Sequence, residues 1–182
     1  MRMYSFIGDY QAKIDPKGRF VLPSSFKKQL EGDVDGRFVI KKDIFEKCLV
    51  LYPMAEWERQ VRMIRRKLNP YNRQHSQFIR NFYRGTAEVE MDASNRLLIP
   101  KRLQELVDIQ LEVVIAGQDT KIEIWAKELY DAFEFDEFEF ADMAESLLGG
   151  EPAPEPQEEE EEHEEVDKQV EESGAWLKPD KL

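Results

Sequence analysis

Arg19 stands in sequence among Lys13, Lys17, Lys27 and Lys28. An arginine presents a planar fork of donors that matches a phosphate or the edge of a guanine, while lysines contribute mainly charge. Together these residue types fit an anionic partner, and a nucleic-acid backbone best of all. A weaker version recurs around Arg96, which is preceded by Glu88 and Glu90 and followed by Lys101 and Arg102. Each arginine closes the same short pattern, Asp15-Pro-Lys-Gly-Arg19 and Asp92-Ala-Ser-Asn-Arg96. The Asp residues read first as turn-formers, because an Asp at the head of a turn accepts hydrogen bonds from the backbone two residues on. Arg19 reads instead as the contact residue of the more basic copy, with Arg96 its counterpart in the other.

Other chemistries lack their residues. There is no Gly-rich phosphate loop and no nucleophile elbow. His75 has no second His, Cys or carboxylate at ligand spacing, so no metal site is expected and no cofactor is implied. Carboxylates are plentiful but gather near the end of the chain, where nothing would hold them or shift their pKa values. The reading is of a protein that is not an enzyme.

The two patterns belong to a longer repeat. At a constant offset of 77 residues (92 − 15, 96 − 19), Gly8 aligns with Gly85, Asp15 with Asp92, Arg19 with Arg96 and Pro23 with Pro100. Apolar positions follow at the same offset: Ile14 with Met91, Phe20 with Leu97, Leu22 with Ile99, Phe26 with Leu103, and Leu30 with Val107. This is one supersecondary unit used twice. Gly18 and Asn95, just before each Arg, suit a left-handed backbone position. The segments 19–22 and 96–99 read as strands, and Pro23 and Pro100 end them and open short helices at the first helical position.

The order Gly8-Asp-Tyr, Ile14-Asp-Pro-Lys-Gly-Arg-Phe-Val-Leu-Pro23, its repeat, and Leu49-Val-Leu-Tyr-Pro53 resemble the MraZ family of bacterial transcriptional regulators. The resemblance covers about residues 1–148. It implies an α+β fold of two tandem AbrB/SpoVT-like swapped-hairpin β-barrel repeats with bridging helices. It also implies a ring-shaped homo-oligomer that binds short direct repeats in a promoter, in the manner of the regulator of the division and cell-wall gene cluster. Under it the motif arginine carries over to Arg19 and Arg96, and the basic start of the helix to Lys27 and Lys28. Gln104 and Glu105 hold the equivalent places in the second copy.

The organisation that follows is a first repeat at 1–53, bridging helices at 54–84, a second repeat at 85–130, a C-terminal helix at 131–148 and an acidic, disordered tail at 149–182. Met3 to Tyr10 reads as a first strand or lead-in, and 38–40 and 49–52 as further strands. Asp43-Ile-Phe-Glu46 fits a capping box that opens one helical turn. Residues 54–68 form an amphipathic helix with Trp57, Val61, Ile64 and Leu68 on one stripe and Arg59, Arg62, Arg65, Arg66 and Lys67 on the other side. That side reads first as a solvated basic face and second as a DNA-backbone or subunit contact. Residues 72–84 form a second helix burying Phe78, Ile79 and Phe82. In the second repeat 111–115 and 122–125 are strands joined by a turn at 117–120. Residues 128–148 read as helix interrupted near Asp136, although Phe133 to Phe140 also alternates like a strand.

The formal net charge of −12 would argue against a nucleic-acid partner if it were evenly spread. It is not: residues 151–182 hold 13 acidic and 3 basic side chains, and 131–150 hold 7 acidic and none basic. That leaves 18 acidic against 23 basic in residues 1–130, a net +5 for the repeats. Domain-level charge is what a DNA partner meets. A lone cysteine, Cys48, excludes an intrachain disulfide framework and reads as a small buried hydrophobe. With no signal-peptide pattern and no membrane-length apolar run, a cytoplasmic, nucleoid-associated protein is expected. A second class, an antitoxin-type DNA-binding protein whose acidic tail neutralises a toxin, is compatible with the Glu-rich end.

Overall fold

Sequence-equivalent strands of the two copies sit at equivalent places in one shared sheet. The computed structural model describes residues 4–30, 36–133 and 137–150. By Cα proximity the chain divides into Met1–Glu134 and Phe135–Leu182. In the first unit the elements run β1 (Asp9–Lys13), β2 (Arg19–Val21), α1 (Ser24–Leu30), β3 (Arg37–Lys42), β4 (Leu49–Pro53), α2 (Met54–Lys67) and α3 (Arg73–Tyr83). They continue with β5 (Ala87–Glu90), β6 (Arg96–Leu98), α4 (Lys101–Leu106), β7 (Glu112–Gln118), β8 (Lys121–Ala126) and α5 (Lys127–Asp131). The second unit contains α6 (Glu137–Leu148).

This is a mixed fold of helices and antiparallel sheet. Six strands form one sheet in the order β1-β7-β8-β4-β3-β5, and β2 pairs with β6 in a separate two-stranded ribbon. Exchanging each strand for its partner in the other copy reverses the order and leaves it unchanged, so the sheet has a pseudo-two-fold axis between β4 and β8. The exchange also interleaves the copies. β1 of the first pairs along its length with β7 of the second, Asp9 opposite Ala116 through Lys13 opposite Glu112. β5 of the second pairs with β3 of the first, Arg37 opposite Glu90 through Ile40 opposite Ala87.

Period-2 alternation then gives the sheet two faces. Phe38, Ile40, Leu49, Leu51, Val113, Ile115, Ile122 and Ile124 face the main core, where Phe20, Phe26, Leu97 and Leu103 pack from the ribbon, α1 and α4. Burying a side chain of this size is worth about 2–3 kcal/mol. Lys41, Val50 and Tyr52 point to the other face, covered by α2 and α3 around a cavity of about 230 Å³. There Lys41, only 4 % exposed, lies with its Nζ 3.6 Å from the centre of the Phe82 ring. Burial holds its pKa down at about 8. Trp57 of α2 stacks on Phe82 of α3 with ring centres 5.4 Å apart, which ties the two helices together.

Several local expectations change. The first strand is Asp9–Lys13, after Gly8 rather than before it; residues 4–8 contribute a single bridge, Phe6 to Asp119. Asp43 Oδ1 does accept from the backbone of Phe45 and Glu46 at 2.9 Å, but no helical turn follows, because the chain bends straight into β4. Pro100 occupies the cap position, one residue before the first helical residue. Phe78 is 42 % exposed; only Phe82 of its helix is buried. β7 and β8 extend to Gln118 and Lys121, which leaves Asp119-Thr120 as a two-residue turn with Asp119 at φ 55°. Phe138 and Phe140 lie on a helix and are exposed, so the segment is helical despite its strand-like alternation. The interruption near Asp136 and the acidic tail lie outside the described residues.

Candidate nucleic-acid interface

Each Asp–Arg pattern folds into a closed turn whose hydrogen bonds explain its residue types. In the first, Asp15 Oδ1 accepts from the backbone N–H of Lys17 and of Arg19, both at 2.9 Å. Its Oδ2 accepts from Arg19 Nε at 2.8 Å and lies 2.7 Å from Nη2, a side-on pairing. Gly18 takes φ 86° between them. A Cβ there would sit 2.5 Å from Gln104 Nε2 and 3.1 Å from the Ile99 carbonyl oxygen. The second turn repeats the scheme: Asp92 Oδ1 accepts from Ser94 and Arg96 N–H at 2.8 and 3.0 Å, and Oδ2 from Arg96 Nε at 2.8 Å. Asn95 takes φ 59°, which an Asn tolerates better than most side chains.

The ribbon brings the turns together. β2 and β6 pair with Arg19 opposite Leu98, Phe20 opposite Leu97 and Val21 opposite Arg96. Phe20 and Leu97 point into the core, so Arg19, Val21, Arg96 and Leu98 share the outward face. Val21 is 57 % and Leu98 47 % exposed there. Arg19 Nη1 also reaches to 4.0 Å from Asp92 Oδ2, linking the pairs across the pseudo-two-fold. Two guanidinium groups therefore meet two carboxylates, and this centre is close to neutral.

The positive charge flanks it, divided between two open grooves. Each groove forms where the helix start of one copy meets the turn of the other. One, of about 710 Å³, is lined by Lys13, Ser24 and Lys27 with Asn95 of the opposite copy. The other, of about 540 Å³, is lined by Lys17 with Lys101 and Gln104. Lys13 and Lys27 thus lie together, whereas Lys17 joins Lys101, a residue from outside the basic cluster read in the sequence. Lys28 is exposed on α1 and lines neither groove. Lys13 lies 3.7 Å from its cross-strand neighbour Glu112, an exposed pair of little energetic weight. Gln104, at the position equivalent to Lys27, donates to the Ile99 carbonyl at 2.7 Å and so serves the turn.

The carboxylates are strongly tuned. Backbone donation from Arg19, then its side chain, holds Asp15 well below the usual carboxylate range, at about 2. Asp92 is lowered as well, chiefly by the Arg96 backbone N–H. A depressed folded-state pKa stabilises fully above the unfolded value of about 3.9 and loses that contribution as pH falls toward the folded value. The stability difference between the native chain and Asp15→Asn should therefore be present at pH 5 and fade between pH 4 and 2. Urea midpoints measured across that range check it; a difference independent of pH would mean that the charge on Asp15 contributes nothing.

Among the described residues no group of His, Cys, Asp and Glu could hold a metal ion. No described helix is long and apolar enough to cross a membrane. Residues 5–77 and 82–149 match a protein-family profile described as "MraZ protein, putative antitoxin-like". Transcriptional regulator MraZ of Flavobacterium psychrophilum is 40 % identical over 148 residues, spanning 81 % of this chain and 94 % of that one. Its namesake in Christiangramia forsetii is 40 % identical over 150 residues, 82 % and 96 % of the two chains. That of Cytophaga hutchinsonii is 38 % identical over 144 residues, 79 % and 94 %. The solution structure of PHS018 from Pyrococcus horikoshii aligns over 65 % of this chain and 87 % of that one at 15 % identity, with a TM-score of 0.28, too loose a likeness to inform the fold.

Proposed function

Since the chain belongs to the MraZ family, whose curated members are named transcriptional regulators, we propose that it is a sequence-specific DNA-binding regulator of transcription and not an enzyme. It binds short direct repeats in a promoter, that of a division and cell-wall gene cluster, as a ring-shaped homo-oligomer in the cytoplasm and at the nucleoid. The two copies act as AbrB-like swapped-hairpin repeats within domain limits of 1–53 and 85–130, bridged by 54–84 and followed by the helix at 131–148 and the tail at 149–182. The interleaving of β1 with β7 and β5 with β3 favours the swapped arrangement.

The observation that carries the reading is the ribbon: two Asp–Arg turns converge on one outward face with lysine-lined grooves on either side. Asp15, Gly18, Asp92 and Asn95 set the turns. Arg19 and Arg96, at the centre, contact base edges, while Lys13, Lys17, Lys27 and Lys28 contact phosphates. One protomer offers few such contacts, and several subunits on successive sites multiply them into tight binding.

A mobility-shift titration of the full chain against its own upstream region, run across a salt series, tests this. Binding that requires the direct repeats and weakens steeply with salt is the expected result. Arg19→Ala should lose repeat-specific binding while melting within a few degrees of the native chain. The backbone N–H groups of residues 17 and 19 still hold Asp15 Oδ1, and the ion pair that is lost is partly exposed, worth about 1 kcal/mol. Retained promoter binding by the folded variant would count against Arg19. The family description and the acidic end favour a second reading, an antitoxin-type regulator. Co-purification of a small basic protein would support it.

A further inference from the structure

Between Arg59 and Arg84 the chain carries seven arginines and one lysine and not one carboxylate. These residues fall on α2, α3 and the short link between them. Arg62, Arg65, Arg66, Lys67, Arg73, Arg80 and Arg84 are all exposed. Arg59 alone is engaged inward, through two 2.8 Å hydrogen bonds to the buried Glu56. Arg65, Lys67, Arg73 and Arg84 make no side-chain ion pair or hydrogen bond among the described residues. Tyr71, 98 % exposed, stands at the tip of the link between Lys67 and Arg73.

Solubility and helix capping explain only part of this. Cations in the last turn of α2, Arg65, Arg66 and Lys67, complement its dipole. Arg73 occupies the first turn of α3, where no acidic residue is present and a cation opposes the dipole. Glu56 meets Arg59 and Glu58 lies 3.8 Å from Arg62, but the cations at 65, 67, 73 and 84 have no such neighbour among the described residues. They repel one another unless an external anion compensates them, and arginine is the side chain best shaped to take phosphates. The position matters too. α2 and α3 cover the sheet face that carries Lys41, Val50 and Tyr52, while the Asp–Arg ribbon packs against the opposite face. A duplex lying on the ribbon cannot also lie along the outer side of α2–α3 of the same protomer.

We propose that the outer face of the α2–α3 pair is a second surface for nucleic-acid phosphates, independent of sequence and on the side of the sheet away from the Asp–Arg turns. It rests on the DNA-binding reading, and it adds that one protomer can hold two segments of duplex, one through its turns and one through this face.

The full chain carrying Arg65→Gln, Lys67→Gln and Arg73→Gln tests the idea, with binding to a random-sequence duplex and to the promoter repeats followed across a salt series. Three lost phosphate contacts should make the log–log salt slope for random duplex shallower by about 2.7 and weaken binding at 50 mM salt by more than about three powers of ten. Preference for the repeats over random sequence should rise. In a capture assay, protein bound to immobilised repeats should retain labelled random duplex, and the triple variant should not. An unchanged slope and unchanged capture in a folded variant would overturn the proposal while leaving the turn site standing. Loss of binding here, coupled with no effect from substitutions at Lys17, Lys27 and Lys28, would instead keep this surface and remove the ribbon reading. Retention of single-stranded oligonucleotide but not duplex would reject the duplex assignment, since it would point to stacking on Tyr71.

Discussion

A chain carrying Lys17→Gln, Lys27→Gln and Lys28→Gln should bind promoter repeats at least about 100-fold more weakly than the native chain in 0.1 M salt. The size follows from counterion release. Each phosphate contact contributes about 0.9 to the salt slope, so three lost contacts remove between about two and three powers of ten at that salt concentration. Stability should hardly move, because Lys17 and Lys28 are exposed and Lys27 is half-buried with no side-chain hydrogen bond among the described residues to lose; surface changes of this kind usually stay within about 0.5 kcal/mol. The set spans both grooves, Lys17 in one and Lys27 in the other, so it reads the surface as a whole. Fluorescence anisotropy on a labelled duplex, with a thermal melt as the folding control, is the measurement. Affinity within threefold of native would place the DNA elsewhere on the molecule.

The largest stability loss from a single small change is expected at Gly117→Ala. Gly117 lies in β7 where the segment before β1 crosses it: its N–H donates to the Gly8 carbonyl at 2.8 Å, and Phe6 and Asp119 exchange backbone bonds at 2.7 and 3.1 Å. A Cβ at Gly117 would fall 2.5 Å from both the carbonyl carbon and oxygen of Phe6 and 2.7 Å from the Ile7 nitrogen. Those are backbone atoms, so no side chain can rotate away to make room. The accessible relief is for residues 4–7 to lift off, which uncovers Phe6, fully buried, and Tyr4, 5 % exposed. Losing a buried phenylalanine costs about 3–5 kcal/mol. In a unit of this size that lowers Tm by more than about 10 °C. A melt within 3 °C of native would show that the segment before β1 can shift away from β7 without releasing the aromatic pair.

The turns are more legible in the sequence than what surrounds them. Asp, Gly or Asn, and Arg at fixed spacing carry their own geometry, since the hydrogen bonds that fix each turn span at most four residues. The grooves are another matter. Lys27 lines one groove with Asn95 and Lys17 lines the other with Lys101, juxtapositions made between copies and therefore invisible to any local window. The bounds of the first strand are hidden for a similar reason. Asp9–Lys13 is mostly polar and exposed, and it is a strand because β7 offers it a partner some 100 residues away. Nothing in the sequence marks Lys41 and Glu56 as buried, because charged residues seldom are. One is held under an aromatic ring; the other is a carboxylate whose burial is more than offset by hydrogen bonds from Arg59 and Gln60.

Because β1 completes the second copy's sheet and β5 the first's, neither copy has a full set of neighbours when cut from the other. The polypeptide has the form of an intertwined dimer written as one chain, with α2 and α3 as its tether. Duplication of an ancestral half-length gene, followed by fusion, would yield this topology directly. It also frees the halves to diverge, so that a lysine in one can become a glutamine in the other, which no true homodimer permits. Denaturation should then be all-or-none across the first unit, and a fragment ending before β5 should stay unfolded until the missing half is supplied.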